Sequence, residues 1–415
     1  MKKSINILFA LLLVVALISG CGTSSTSGSG NKPAEASANN GSGNGNVASE
    51  ASQEPIRLAH IGPLTGNMAD FGQHALNGVQ VAVEEINENG GVMGRMLEVV
   101  SYDDKNVGED AAAAAELVIS DSSICAVTSA HYSSGVAMVA APLYQEAGMA
   151  AISPSASHPE YSSIGDYIFR NNLTEQAELV YAFQMPTIVD CKKLGIVSMM
   201  SDFGESFVHG FEELYEANKD KLGYELAVES FFVDGTVDFA PNVAEIVNGD
   251  CDAIIFVAEY NNLAAFAMQY RKVDPDAQII GLMTCYNPEL INMAGEAVEG
   301  MVLYSVLNPN SERPAVKNFV DRYVAKFNSQ PDFIAANAYD NVHMIAASIE
   351  KTGSTDREKI KDALYEVEVT CTAGELKFDA NGDAEKTAVM FKVENGDFAE
   401  VPDAFKLWDD FVAGL

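Results

Sequence analysis

Short apolar runs of strand length, each followed by a segment of helix length, recur along most of this chain, and that alternation restricts the fold more than any other feature. Residues 124–127 and 149–152 are two such runs. Between them, 136–146 carries an apolar stripe at Val136, Val139, Ala140 and Leu143. A strand, helix, strand order makes the two strands parallel neighbours. Each run leads into a serine cluster, Tyr132-Ser133-Ser134-Gly135 after the first and Ser153-Pro154-Ser155-Ala156-Ser157 after the second. The clusters then lie at the carboxyl ends of adjacent strands, where open α/β sheets form their ligand crevice. Serine hydroxyls and backbone N–H groups there suit a small carboxylate. One such cluster alone would read as loop filling and helix capping. Two on successive strand ends point to a shared pocket.

The same alternation extends in both directions. Upstream, strands are expected at 56–61 and 97–102. The helix between them shows Leu76, Val79, Val83 and Ile86 on one face and is stopped by Gly90-Gly91. A helix follows at 111–119. A second series begins after Asn171-Asn172, with strands at 194–199, 224–232, 252–257 and 278–283 and helices between them. Two series of similar size imply two lobes, each a parallel sheet covered on both faces, with strand ends facing a common cleft. Past Gly300 the pattern changes to a strand at 301–306 and helices at 315–327 and 333–350. Residues 375–378 and 389–393 flank Asp379-Ala380-Asn381-Gly382-Asp383 and read as a hairpin. The glycine of that turn comes too early for an EF-hand, so a plain turn is preferred to a calcium loop.

The amino terminus reads as a processed segment. Lys2 and Lys3 precede an apolar run at 7–18, the layout of a secretory signal. The run ends Leu17-Ile18-Ser19-Gly20-Cys21, which resembles the lipobox of bacterial lipoproteins. That resemblance implies cleavage before Cys21 and a lipid on its thiol, anchoring the chain to a membrane. Residues 22–50, rich in Ser, Gly and Asn, suit a flexible tether, with folded sequence starting near Pro55. The formal net charge of −34 excludes nucleic acid as a partner, because phosphates would be repelled. Beyond Cys21 the cysteines (Cys125, Cys191, Cys251, Cys285 and Cys371) are scattered without metal-type spacing. They read as buried small hydrophobes, with a Cys191–Cys251 disulfide left open.

Several chemistries lack their motif. No P-loop is present, and Gly90-Gly91-Val92-Met93-Gly94 follows a helix instead of a strand, so it is no dinucleotide fingerprint. The six histidines show no metal-type pairing. His131 is close to Ser133 and Ser134, which raises a serine hydrolase, but the G-x-S-x-G elbow is missing. The reading is therefore not an enzyme, and no cofactor or metal is implied.

From about Ile56 to about Glu400 the chain resembles the leucine/isoleucine/valine-type substrate-binding proteins of ABC transporters, of the type I periplasmic binding fold. The resemblance rests on Ile61-Gly62-Pro63-Leu64-Thr65-Gly66, the run from Ala82 to Gly91, Tyr102-Asp103-Asp104 and Ser153-Pro154-Ser155-Ala156-Ser157. Asp202-Phe203-Gly204-Glu205 and Ala294-Gly295-Glu296 through Glu299-Gly300 add to it. It implies an α/β protein of two Rossmann-like lobes with parallel-type sheets, joined by a three-strand hinge and closing over a small solute. The implied layout is 1–20 signal peptide and 21–54 lipidated cysteine and linker. Residues 55–173 with 302–384 would form the N-terminal lobe, and 174–301 with 385–415 the C-terminal lobe. The resemblance also implies that Ser134, Ser155 and Ser157, with the Ala156 backbone between them, hold a ligand carboxylate. Phe203 and Tyr260 would cover the ligand from the second lobe, with Tyr132 and Phe71 on the first.

Two departures from the family pattern stand out. Relatives that bind α-amino acids place a carboxylate where this chain has Met283, and an ammonium buried without a counter-charge costs several kcal/mol. Glu259, beside Tyr260, either supplies that charge or faces solvent at the cleft mouth. Phe203 and Phe71 stand where tyrosine is common, making the pocket more apolar. The resulting expectation is a monomeric, lipid-anchored, extracytoplasmic protein that delivers an amino acid or related small carboxylate to an ABC permease. A sensor reporting the ligand to a membrane receptor is the alternative in another class.

Overall fold

Two parallel sheets, built in the same order, account for most of the computed structural model, which describes residues 54–405. The expected signal segment, Cys21, nearly all of the linker and residues 406–415 lie outside the described residues. The first series is β1 (Ile56–Gly62), α1 (Ala69–Glu88), β2 (Leu97–Asp103), α2 (Gly108–Ser120), β3 (Ile124–Ala130), α3 (Ser134–Glu146), β4 (Ala151–Ser153) and β5 (Ile168–Arg170). Its sheet runs β2-β1-β3-β4-β5 with every pair parallel. Successive side chains of a strand face opposite sides, which explains why the runs are continuously apolar. Leu58 packs into one buried cluster with Val79 and Ala82 of α1. Ala59 and Ile61 join Ala115 of α2 and Ala140 of α3 in another. Gly91 ends α1: its N–H donates to Ile86 O at 2.9 Å with φ +73°. A Cβ there would lie 2.1 Å from Arg95 O, so the turn requires glycine.

The second series is α4 (Glu175–Ile188), β6 (Lys193–Met199), α5 (Asp202–Asn218), β7 (Glu225–Phe232), α6 (Ala240–Asn248), β8 (Ala253–Val257), α7 (Tyr260–Tyr270), β9 (Gln278–Gly281), α8 (Pro288–Ala294) and β10 (Val302–Ser305). Its parallel strands run β7-β6-β8-β9-β10, which repeats the order of the first sheet. In both, the strand order reverses beside the first strand of the series. The elements that follow are α9 (Pro314–Phe327), α10 (Phe333–Thr352), α11 (Arg357–Leu364), β11 (Val369–Cys371) and β12 (Gly374–Leu376). They return to the first sheet, where α10 lies so close to α1 that a Cβ on Gly78 would sit 2.0 Å from Ala335 O. The last strands, β13 (Val389–Glu394) and β14 (Asp397–Val401), add antiparallel to the far edge of the second sheet. The chain thus passes between the sheets at 171–174, 306–313 and 385–388.

Two expectations need correction. Residues 375–378 and 389–393 do not pair with each other. β12 pairs with β11, and β13 pairs with β10 and with β14 across an Asn395-Gly396 turn. The turn at 379–383 does form: Asp379 Oδ1 accepts from the N–H groups of Asn381 and Asp383, and a single Phe378–Ala384 bridge closes it. Both turns contain Asn-Gly, and only the tertiary pairing shows which one joins two strands. The division placed at 301/302 also moves. Val302–Ser305 belongs to the second sheet, between β9 and β13, so the return to the first sheet begins after Ser305. An apolar strand run reads the same in either sheet, and its hydrogen-bond partners decide.

Candidate ligand-binding cleft

The carboxyl ends of β3 and β4 face those of β6, β8 and β9 across a cavity of about 340 Å³. Its size is within the range of small-molecule sites. On the first lobe the wall is made by Tyr132, Ser133, Ser134, Ser155 and Ser157, with Asn172 from the first crossing. These groups are bound to one another. Ser134 Oγ accepts from the N–H of Ser157 at 3.2 Å and of His158 at 3.3 Å, tying the two serine clusters together. Ser155 Oγ donates to Tyr132 O at 2.8 Å, and Asn172 Nδ2 donates to Ser155 O at 2.7 Å. Ser133 is the N-cap of α3, yet its hydroxyl turns to Asn106 Oδ1 (2.5 Å) and does not cap the helix. The first turn of α3 therefore directs its N–H groups and the positive end of its dipole at the cavity.

The second lobe supplies a different wall. Met199, Met200 and Phe203 come from the β6–α5 junction, Met283 and Thr284 from the turn after β9, and Glu259 from the N-cap of α7. Met283 is buried and brings no charge. Glu259 does not face solvent: it is 8% exposed, and Tyr132 Oη reaches its Oε1 from the other lobe at 3.5 Å. Its Oε2 is buried without a hydrogen-bond partner among the described residues. Burial, with Asp234 nearby, pushes this carboxyl up to about 7.

A second buried carboxylate, Glu178 on the first turn of α4, also lines the cavity and was not picked out in the sequence. Tyr304 Oη donates to its Oε2 at 3.1 Å, while burial pushes it up to about 8. The signal was faint, since Glu178 sits in the opening turn of an ordinary helix that Thr174 caps. Asp202 and Asp234 stand at the exposed rim. Among the described residues, no lysine, arginine or histidine lines the cavity.

Three of the residues expected at the site are not on its wall. Ala156 is fully buried, its N–H donating to Ser153 Oγ at 3.0 Å to shape the loop. Phe71 lies behind Tyr132, stacked at 4.6 Å and 14°. Tyr260 crosses to the first lobe, where its ring meets Phe71 at 5.5 Å and its hydroxyl donates to Asp70 at 2.7 Å. Phe71 and Tyr260 therefore back the Tyr132 wall and join the lobes, without covering the cavity. Tyr132, Ser134, Ser155, Ser157, Phe203, Glu259 and Met283 do line it.

The hydrolase alternative fails on geometry. His131 is buried with Nδ1 on Asp104 (2.7 Å) and Nε2 on Tyr144 Oη (2.9 Å), leaving neither nitrogen for a serine. All five cysteines in the described region are buried and free, and Cys191 Sγ donates to Asp252 instead of pairing with Cys251.

Comparison with known proteins agrees with this architecture. The family model described as "Periplasmic binding protein" matches residues 55–397. The leucine-, isoleucine-, valine-, threonine- and alanine-binding protein of Pseudomonas aeruginosa is 29% identical over 335 residues, covering 80% of this chain and 87% of the relative. Among solved structures, the branched-chain amino acid transporter substrate-binding protein LivJ of Streptococcus pneumoniae, in complex with isoleucine, superposes with a TM-score of 0.77. It is 28% identical, and the match spans 83% of this chain and 98% of that one. The leucine-binding protein LivK of Thermotoga maritima gives 0.75 at 25% identity, over 84% and 99%. These relatives bind solutes and are not enzymes. The chain belongs to the periplasmic binding protein family.

Proposed function

We propose that this protein is the lipid-anchored, extracytoplasmic binding component of an ABC importer and that it captures an α-amino acid between its lobes. The observation that carries this reading is the opposition of two unlike walls across one cavity. The serine wall and the uncapped first turn of α3 suit a carboxylate. Facing them, Glu259 presents a buried, unpartnered carboxylate oxygen suited to an ammonium. Glu259 thus stands in for the family carboxylate whose place Met283 takes. Met199, Phe203 and Met283 form the apolar remainder, where soft methionines follow the shape of a side chain. Relatives named for leucine, isoleucine and valine support the amino-acid class. Residues 55–173 with the return segment form one lobe, and the rest of the folded chain the other; closure over the solute would remove water from both walls. The anchor rests on Leu17-Ile18-Ser19-Gly20-Cys21, and a monomer suffices for capture.

Thermal unfolding of the full chain against a panel of amino acids and their deaminated analogues tests the binding role. A ligand that binds the folded state raises the midpoint by mass action. Amino acids should shift it while the amine-free acids do not. A shift by amine-free acids alone would refute the ammonium site. For the anchor, a radiolabelled fatty acid fed to cells should label the native chain and not Cys21→Ser; an unlabelled native chain would refute it.

A further inference from the structure

The cavity holds more carboxyl groups than one zwitterion can answer. An α-amino acid brings one ammonium, and Glu259 is sufficient to receive it. Yet Glu178 is 2% exposed and faces the same cavity from a different helix, while Asp202 and Asp234 add charge at the rim. The cavity wall carries no basic side chain among the described residues. A carboxylate buried in a ligand site is stabilised in its charged form only if something of opposite charge joins it. The hydrogen-bond partners of Glu178 are hydroxyls, Tyr304 at 3.1 Å and Ser157, while Glu175 and Arg170 act on it with opposite signs without pairing with it. Glu259 has Tyr132 at 3.5 Å and an oxygen with no partner. Neither has an ion-pair partner among the described residues within salt-bridge distance.

We infer that the solute carries two cationic groups, an α-ammonium and a second ammonium or guanidinium on its side chain, received by Glu259 and Glu178. This inference rests on the amino-acid reading above and narrows it to basic amino acids. Other features of the cavity suit such a ligand. Tyr132, Phe203 and Phe333 offer ring surface to the methylene stem and to a cation. The rim acids and the net charge of −34 concentrate cations at the mouth. Burial raises both carboxyls, to about 7 and about 8, so a cation reaching either draws it into the charged form.

Lysine and norleucine differ at the end of the side chain by the ammonium alone, so titration calorimetry of the full chain with this pair isolates the second charge. Lysine should bind at least about tenfold tighter than norleucine, as expected for one close charge pair in a desolvated site. Glu178→Gln should shrink that ratio to within about threefold, with both ligands measured on the same folded variant. Should norleucine or leucine bind as tightly as lysine, the second cation is refuted while the amino-acid reading stands. Should lysine keep its advantage in Glu178→Gln, Glu178 is not its receiver and the assignment is overturned. If no α-amino acid binds at all, the amino-acid reading fails with it.

Discussion

The two walls of the cleft are built on the same strand order and from the same kind of strand ends, yet they differ in how their polar groups are satisfied. On the first lobe the hydroxyls of Ser134 and Ser155 and the amide of Asn172 are held by backbone partners in neighbouring loops. On the second lobe Glu259 has one long contact, and that contact comes from the other lobe. The first wall is therefore set before a ligand arrives, whereas the second has its charge in reserve. A set wall lowers the ordering cost of binding, and a reserved charge gives the ligand something that only it can complete. The lobes share an architecture, and in the proposed function they divide the recognition of the solute between them.

The largest expected effect breaks the reserved side. Glu259→Gln keeps the shape and removes the charge, and it should weaken amino-acid binding on the order of 100-fold or more, the scale for removing one partner of a buried charge pair. Calorimetry showing unchanged affinity would leave the ammonium without its assigned partner. Next in size is damage to the scaffold of the set wall. Gly78→Ala forces a Cβ against Ala335 O where α1 meets α10, and should cost about 1–3 kcal/mol in denaturant unfolding. An unchanged midpoint would mean that the two helices separate easily. Ser134→Ala removes the acceptor of two backbone N–H groups and should cost about 1 kcal/mol of stability together with a several-fold loss of affinity. Ser134→Thr, which keeps the hydroxyl, should restore part of both.

A further effect is graded with pH. Folded-state values of about 8 for Glu178 and about 7 for Glu259 lie above the ordinary 4.5. Each group then holds its proton more tightly in the folded chain than in the unfolded one. Its contribution to stability is complete below pH 4.5 and is lost as pH rises, by pH 7 for Glu259 and pH 8 for Glu178, at no more than about 1.4 kcal/mol per pH unit for each. Unfolding free energies of Glu178→Gln should therefore fall less steeply than those of the native chain between pH 5 and pH 8. Parallel slopes would show that Glu178 titrates as an exposed acid does.

Much of this was legible in the residues. The continuous runs at 124–127 and 149–152 read as buried strands, and the strands that form, Ile124–Ala130 and Ala151–Ser153, pair in parallel so that their serine clusters meet. The Gly62-Pro63-Leu64-Thr65-Gly66 and Ser153-to-Ser157 segments carried the family likeness, because loops at strand ends keep local geometry that a short motif can encode. Glu178 stayed hidden for the opposite reason. Its neighbours Ser157 and Tyr304 are far from it in sequence, and nothing in a helix's first turn distinguishes an acid that favours the dipole from one that faces a cavity. Phe71 and Tyr260 were misplaced by the same limit: the sequence marks an aromatic at a strand end or a first turn, but only packing shows whether its ring faces the cavity or the ring behind it.

By itself the sequence determined the alternation, the two series of strands and the serine-bearing strand ends. These are local: they follow from periodicity, turn chemistry and residue identity at fixed spacing. The tertiary structure decided that Val302–Ser305 belongs to the second sheet, that the last Asn-Gly makes the hairpin, and that Glu178 and Glu259 share one buried cavity. These depend on hydrogen-bond partners and desolvation between segments far apart in the chain, which no window of neighbouring residues contains.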